Sequence, residues 1–267
     1  MFRPEDFFEL KEFEHRELFK DAEFVWDVLG RIKSYINDAV IPNVTLLERK
    51  GALLPQTYIL FQGKVVDRGF TIEDGDATKG ELRVFREGKE LKGASVLYEG
   101  SVIFNDRVFI GEGTVVEPGA FIRGPVIIGR NTEVRQGAYI RGNCLVGDRC
   151  VVGHATEMKN AVMLHDAKAG HFTYIGDSIL GNNVNLGAGT KCANLKITQS
   201  EVTVRAETRV YKTGLKKLGA ILGDNVQTGC NSVTSPGVLL GKSSLVYPNV
   251  NVQGGYYPAR SIISIRT

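Results

Sequence analysis

Apolar positions change their spacing twice along this chain. Over residues 5–40, aromatic and aliphatic side chains recur at helical intervals: Phe7, Leu10, Phe13, then Leu18, Ala22, Val25, Leu29, Ile32 and Ile36, with charged residues between them. Such a stripe predicts two amphipathic helices or one broken one, with the apolar side committed to a core or a subunit contact. Across 51–97 the pattern shortens into β-like runs at 57–61, 69–72 and 82–85, separated by Gly and Asp turns. A third rhythm then takes over. From Ile110, every sixth residue is aliphatic through Val116, Ile122, Ile128, Val134, Ile140, Val146, Val152, Met158 and Leu164.

Six is neither the 3.6-residue period of a helix nor the two-residue period of a strand, so the pattern predicts a solenoid of short strands and turns. Four residues after each aliphatic position stands a small or β-branched one: Thr114, Ala120, Val126, Thr132, Ala138, Cys144, Cys150, Thr156 and Val162. One large and one small inward position per hexad describe a strand with a tight corner, and three hexads make one triangular coil. Glycine often follows the aliphatic position, as in Ile128-Gly129 and Val152-Gly153, where close packing or an unusual φ is needed. This register breaks just after Leu164, so 168–174 falls in the break. It returns at Leu180, Leu186 and Cys192, is interrupted near 195–218, and resumes from Leu222 to Val246. The expected fold is mainly β: a parallel β-helix with an N-terminal helical and mixed β segment. The expected division is 1–97 and 98–267, the second unit carrying an inserted loop near 195–218.

Composition narrows the function classes. Against 30 acidic residues stand 33 basic ones, a net charge of +3 that does not suggest a nucleic-acid partner but leaves small anionic ligands open. Cys144, Cys150, Cys192 and Cys230 show no CxxC spacing, and the first three occupy positions where small fillers belong. No metal site is expected from them. No apolar run approaches the length of a membrane span, and the N-terminus is acidic and aromatic, so a cytoplasmic, soluble chain is expected.

The repeat resembles the hexapeptide-repeat, left-handed β-helix acyltransferases, whose coils carry eighteen residues and which usually assemble as homotrimers with sites between subunits. Residues 141–194, about a fifth of the chain, are more specific. The runs Glu157-Met158-Lys159, Lys168-Ala169-Gly170-His171-Phe172-Thr173-Tyr174-Ile175-Gly176-Asp177 and Asn183-Val184-Asn185-Leu186-Gly187-Ala188-Gly189-Thr190 resemble the acetyltransferase domain of the bifunctional glucosamine-1-phosphate acetyltransferase/uridylyltransferase. That resemblance implies acetyl-CoA as co-substrate and an amino-sugar phosphate or sugar nucleotide as acceptor.

Each motif residue then has a chemical task. An amine attacking a thioester must lose a proton, and an imidazole that titrates near neutrality suits a general base, the role the resemblance gives His171. The alternative is a hydrogen-bonded structural histidine. Tyr174, Asn185 and Asn194 match family positions around the acceptor sugar, where a phenol and carboxamides meet hydroxyls. Tyr174 also fits a half-buried coil residue, and Asn185 an αL corner. The family's Tyr-Asp-Gly after Asn194 is replaced by Leu195-Lys196-Ile197.

Arg141 and Lys159 lie eighteen residues apart, one coil, so they project side by side, an arrangement suited to a phosphate. Ala188 matches a backbone position used by the coenzyme's pantetheine arm. Cys230 stands where relatives place a serine near the acetyl carbonyl, which shifts oxyanion stabilisation toward backbone N–H groups. The cations of the interruption, Arg205, Arg209, Lys212, Lys216 and Lys217, border either a neighbour's site or solvent.

Two other motifs are missing. Residues 1–97 lack the Gly-rich phosphate loop of sugar nucleotidyltransferases. The three-histidine zinc site of β-helical carbonic anhydrases is not expected, because His154, His165 and His171 fall at three different phases of the hexad count. The leading expectation is an acetyl-CoA-dependent N-acyltransferase. The rivals are an acyltransferase with a different nucleotide-sugar acceptor and a non-catalytic sugar-phosphate-binding or scaffold trimer partnering a separate nucleotidyltransferase.

Overall fold

Successive coils stack their short strands into three sheets that enclose a parallel β-solenoid. The computed structural model describes residues 2–47 and 51–264. Face I is built from Ser95–Leu97, Val115–Val116, Glu133–Val134, Val151–His154, Lys168–His171, Asn185–Leu186, Gln227–Thr228, Leu245–Val246 and Ile262–Ile263. Face II runs in eight strands from Val102–Ile103 to Asn251–Val252, and face III in eight from Val108–Ile110 to Gly255–Tyr257. The hexad explains the geometry directly. Ile110, Val116, Ile122, Ile128, Val134, Ile140, Val146, Val152 and Met158 all point inward and are buried. Removing each such side chain from water contributes about 1.5–3 kcal/mol.

The small inward positions carry polar atoms that the coil itself satisfies. Thr132 Oγ1 donates to the Gly147 carbonyl at 3.0 Å, and Thr156 and Thr173 share a hydroxyl hydrogen bond of 2.9 Å. Cys144, Cys150 and Cys192 are buried fillers, and burial pushes their thiols up to about 12, 12 and 11.

The count of six fails at a place the sequence reading misplaced. Ile128 pairs with Val146 and Ile140 with Met158, eighteen residues apart, but Val146 pairs with Met163 and Val152 with Ala169, seventeen apart. One residue is missing from the corner at Lys159 and Asn160, where Asn160 takes φ 44°. Ala161 and Met163 therefore face inward, while Val162 and Leu164, expected inward, lie on the outer side. A second short corner follows Ile175, so that Met163 pairs with Leu180. Residues 168–174 sit in no break: they form a regular coil in register with the one before.

Val162 and Leu164 are nonetheless fully buried, because face III has a second layer. Its outward residues Ile127, Leu145, Val162, Ile179, Ile221 and Leu239 pack beneath Phe7, Phe8, Phe13, Phe19, Trp26, Ile32 and Ile36. The N-terminal stripe supplies one full helix, Asp27–Ala39, a single turn at Pro4–Phe7 and a 3-10 turn at Arg16–Phe19. Polar stitches fix this strap. Asp224 accepts from the Glu9 and Asn182 backbone N–H groups, each at 2.7 Å, and Lys242 pairs with Glu9 at 2.8 Å.

The interruption near 195–218 folds onto the same layer. It is an antiparallel hairpin, Thr203–Ala206 with Arg209–Lys212, whose Val202, Val204, Ala206 and Leu218 are buried with the strap. Its five cations named above are exposed. Strands Tyr58–Phe61 and Lys64–Val66 pair antiparallel onto the starting edge of face I and so block edge pairing there. The small sheet of Phe70–Glu73, Arg83–Arg86 and Lys89–Glu90 covers Ile59 and Val96 on the outside of that face.

The strap seam carries a pH response. His15 bonds Tyr35 at 3.0 Å, and burial, opposed by Glu14 and Asp148 and assisted by His165, holds its imidazole below the usual range. The unfolded seam accepts a proton that the folded one resists, so stability is lost as pH falls through about 6.5 toward the lower folded value. Hydrogen exchange over the strap is expected to quicken between pH 7.5 and 5.5 more than exchange in the coils, and His15→Gln is expected to flatten that difference.

Candidate acyl-transfer site

The corner between faces I and II repeats once per coil, and the one-residue contraction aligns its members. Phe172 N–H donates to the His154 carbonyl, Gly189 N–H to that of His171, and Asn231 N–H to that of Ala188. His154, His171, Ala188 and Cys230 thus form one column up the corner. His154 and His171 share a phase, in correction of the hexad count, while His165 lies at the corner between faces III and I.

The four histidines differ in what holds them. His154 Nδ1 meets the Gln136 carbonyl at 2.9 Å, His165 accepts from the Asp148 N–H at 3.0 Å, and His15 bonds Tyr35. His171 is exposed, and among the described residues no hydrogen-bond partner meets its ring. Phe172 beside it takes φ 53° and is 56% exposed, an uncommon conformation for a bulky residue that turns its ring outward against His154. The backbone N–H groups of Ala188 and Cys230 donate to no other described residue, and Cys230 itself is exposed. On face I next to the column, Gly153, Gly170, Gly187 and Gly229 leave a strip of bare backbone.

At the opposite edge of face II the predicted cations meet. Pairing of Ile140 with Met158 sets Arg141 beside Lys159. Each has a carboxylate that the sequence reading left out of the site: Glu157 lies 2.6 Å from Arg141, and Asp177 lies 3.4 Å from Lys159. Asp177 is gripped by the Asn160 and Asn194 side-chain amides, so Asn194 acts on the cation pair through Asp177. The shortened corners bring these residues together, which is why hexad counting alone missed Asn160 and Asp177. Tyr174 lies between the two edges of face II, in register with Glu157, and burial with the charges of Glu157 and Asp177 raises its phenol. It remains a hydrogen-bond donor through the neutral range.

Arg141, Lys159, Tyr174 and Asn194 are therefore one cluster. Asn185 is not part of it within the protomer: it is exposed on face I, in register with Lys168 and Gln227. His171, Ala188 and Cys230 stand at the corner between Asn185 and Tyr174.

Comparison with known proteins agrees with this layout. A family model described as the GMPPB C-terminal domain matches residues 122–216. An Escherichia coli protein named uncharacterized acetyltransferase YaiX is 38% identical over 164 residues, 60% of this chain and 71% of its own length. The chain belongs to the hexapeptide-repeat acyltransferases. A bifunctional sugar-1-phosphate nucleotidylyltransferase/acetyltransferase of Sulfurisphaera tokodaii is 36% identical over 160 residues, 59% of this chain and 40% of that protein. The bifunctional protein GlmU of Methanococcus maripaludis is 41% identical over 151 residues, 57% of this chain and 36% of its own. This hexapeptide-repeat chain thus spans at most two fifths of those two bifunctional relatives. No helix among the described residues is long and apolar enough to cross a membrane.

Proposed function

We propose that this chain transfers an acetyl group from acetyl-CoA to the amine of a sugar that carries a phosphate. The observation that carries this reading is the free ring of His171, the one histidine without a protein partner, at a corner that opens onto the Arg141 and Lys159 pair. The acceptor nitrogen attacks the thioester carbon, and His171 takes the proton that nitrogen must shed. The oxyanion forms beside the backbone N–H groups of Ala188 and Cys230. Collapse breaks the C–S bond, and the proton on His171 passes to the departing thiolate. Tyr174 and Asn194 orient the sugar, the second through Asp177.

Asn185 joins the reaction when a second copy sets its face I against this face II, the arrangement of a homotrimer with shared sites. A thiol-release assay across amino-sugar phosphates tests the reading. Transfer is expected, and binding without transfer across the panel selects the scaffold alternative. Arg141→Gln removes a charge-assisted contact worth about 1.5–3 kcal/mol, so KM for the phosphorylated acceptor is expected to rise about 10- to 100-fold with kcat little changed.

A further inference from the structure

We infer that face II holds a nucleoside-diphosphate subsite one coil before the phosphate pair, formed by Arg123, Phe121 and Tyr139. The inference rests on the amino-sugar acyltransferase reading above and narrows its acceptor to a sugar linked to a nucleoside diphosphate.

Charge is the first ground. Ile122 pairs with Ile140 as Ile140 pairs with Met158, so Arg123, Arg141 and Lys159 form a column of three cations on successive coils, about 4.8 Å apart. Glu157 balances Arg141 and Asp177 balances Lys159. No carboxylate lies within ion-pair range of Arg123 among the described residues; its guanidinium instead lies 4.2 Å from the Phe104 ring centroid. A single sugar phosphate is served by Arg141 and Lys159. A third, uncompensated cation one coil further along extends the anion site to a second phosphate.

Aromatic surface is the second ground. Phe121 and Tyr139 are in register, edge to face at 5.4 Å, and Phe104 continues the series at 5.6 Å from Phe121. Phe104 is 39% exposed and the other two are half-buried. Face III has its helical strap and the start of face I its small sheet, whereas Phe121 and Tyr139 join none of the three apolar cores. Rings beside guanidinium groups, with Arg141 5.7 Å from the Tyr139 centroid, offer a stacking platform for a heterocyclic base. Base, two phosphates and sugar then follow one another along the face toward Tyr174 and His171.

Calorimetric titration of the full chain with uridine diphosphate, adenosine diphosphate and inorganic pyrophosphate tests the subsite without any acetyl transfer. At least one nucleotide is expected to bind tenfold or more tightly than pyrophosphate. Arg123→Gln is expected to weaken nucleotide binding about tenfold, and Tyr139→Thr to bring it down to the pyrophosphate level. In the thiol-release assay, Arg123→Gln is expected to raise KM about tenfold for a nucleoside-diphosphate amino sugar and to leave that for the amino-sugar 1-phosphate unchanged.

Equal binding of nucleotide and pyrophosphate, or an equal effect of Arg123→Gln on both acceptors, overturns the subsite. So does a change of oligomeric state in Tyr139→Thr at unchanged melting temperature, which would make the aromatic strip a subunit contact. If nucleotides bind as expected and no acceptor is acetylated, the subsite stands and the acyltransferase reading fails.

Discussion

His171→Ala is expected to lower kcat by about 10²- to 10⁴-fold, the usual contribution of a positioned general base. The fold is expected to tolerate the change, since the side chain is exposed and no described residue hydrogen-bonds to its ring. Melting temperature and acceptor KM should therefore stay near the parent values while turnover collapses. His154 gives the internal control: it shares the corner column, but its Nδ1 is engaged by the Gln136 carbonyl. His154→Ala should leave most of the turnover intact. Parent-level acetylation by His171→Ala would remove His171 from the mechanism and return it to the status of a surface residue.

A pair of glycine substitutions separates the packing of the corner from its chemistry. A Cβ built on Gly153 falls 1.9 Å from the Gly170 carbonyl oxygen, a backbone atom that cannot move without separating the strands Val151–His154 and Lys168–His171. Overpacking of this kind costs about 1–3 kcal/mol, so Gly153→Ala is expected to melt several degrees lower and to lose activity as His171 shifts. On Gly170 the same Cβ meets nothing within 4 Å. Gly170→Ala is thus expected to keep stability within about 0.5 kcal/mol, while narrowing the bare backbone strip beside His171. A rise in KM for acetyl-CoA without a change in melting temperature would place the coenzyme arm on that strip. Unchanged kinetics would place it elsewhere.

The hexad from Ile110 to Met158 was readable because each inward position faces a dry interior on every coil, and only a large aliphatic residue next to a small one fills it. The same rule misled at Val162 and Leu164. They are as buried as any inward residue, but against the helical strap, and apolar composition does not record on which side of a sheet the partner lies. One missing residue per coil then shifted the apparent phase of everything after Lys159. That shift hid the alignment of His154 with His171 and set 168–174 in a break that does not exist.

The candidate site was legible where its chemistry is local. His171, Tyr174 and the Arg141 and Lys159 spacing could be named from short runs. The carboxylates that balance those cations were not named, because charge pairing across coils depends on corner lengths that no short motif reports.

What the sequence by itself determined is a three-sided β-solenoid and the run that marks its acyltransferase family, since both depend on residues close together in the chain. Which outer faces are covered, which cations are balanced, and which histidine remains free were decided only by the tertiary structure. Those properties arise between coils, strap and hairpin, where residues seventeen or more positions apart meet and short-range spacing carries no information.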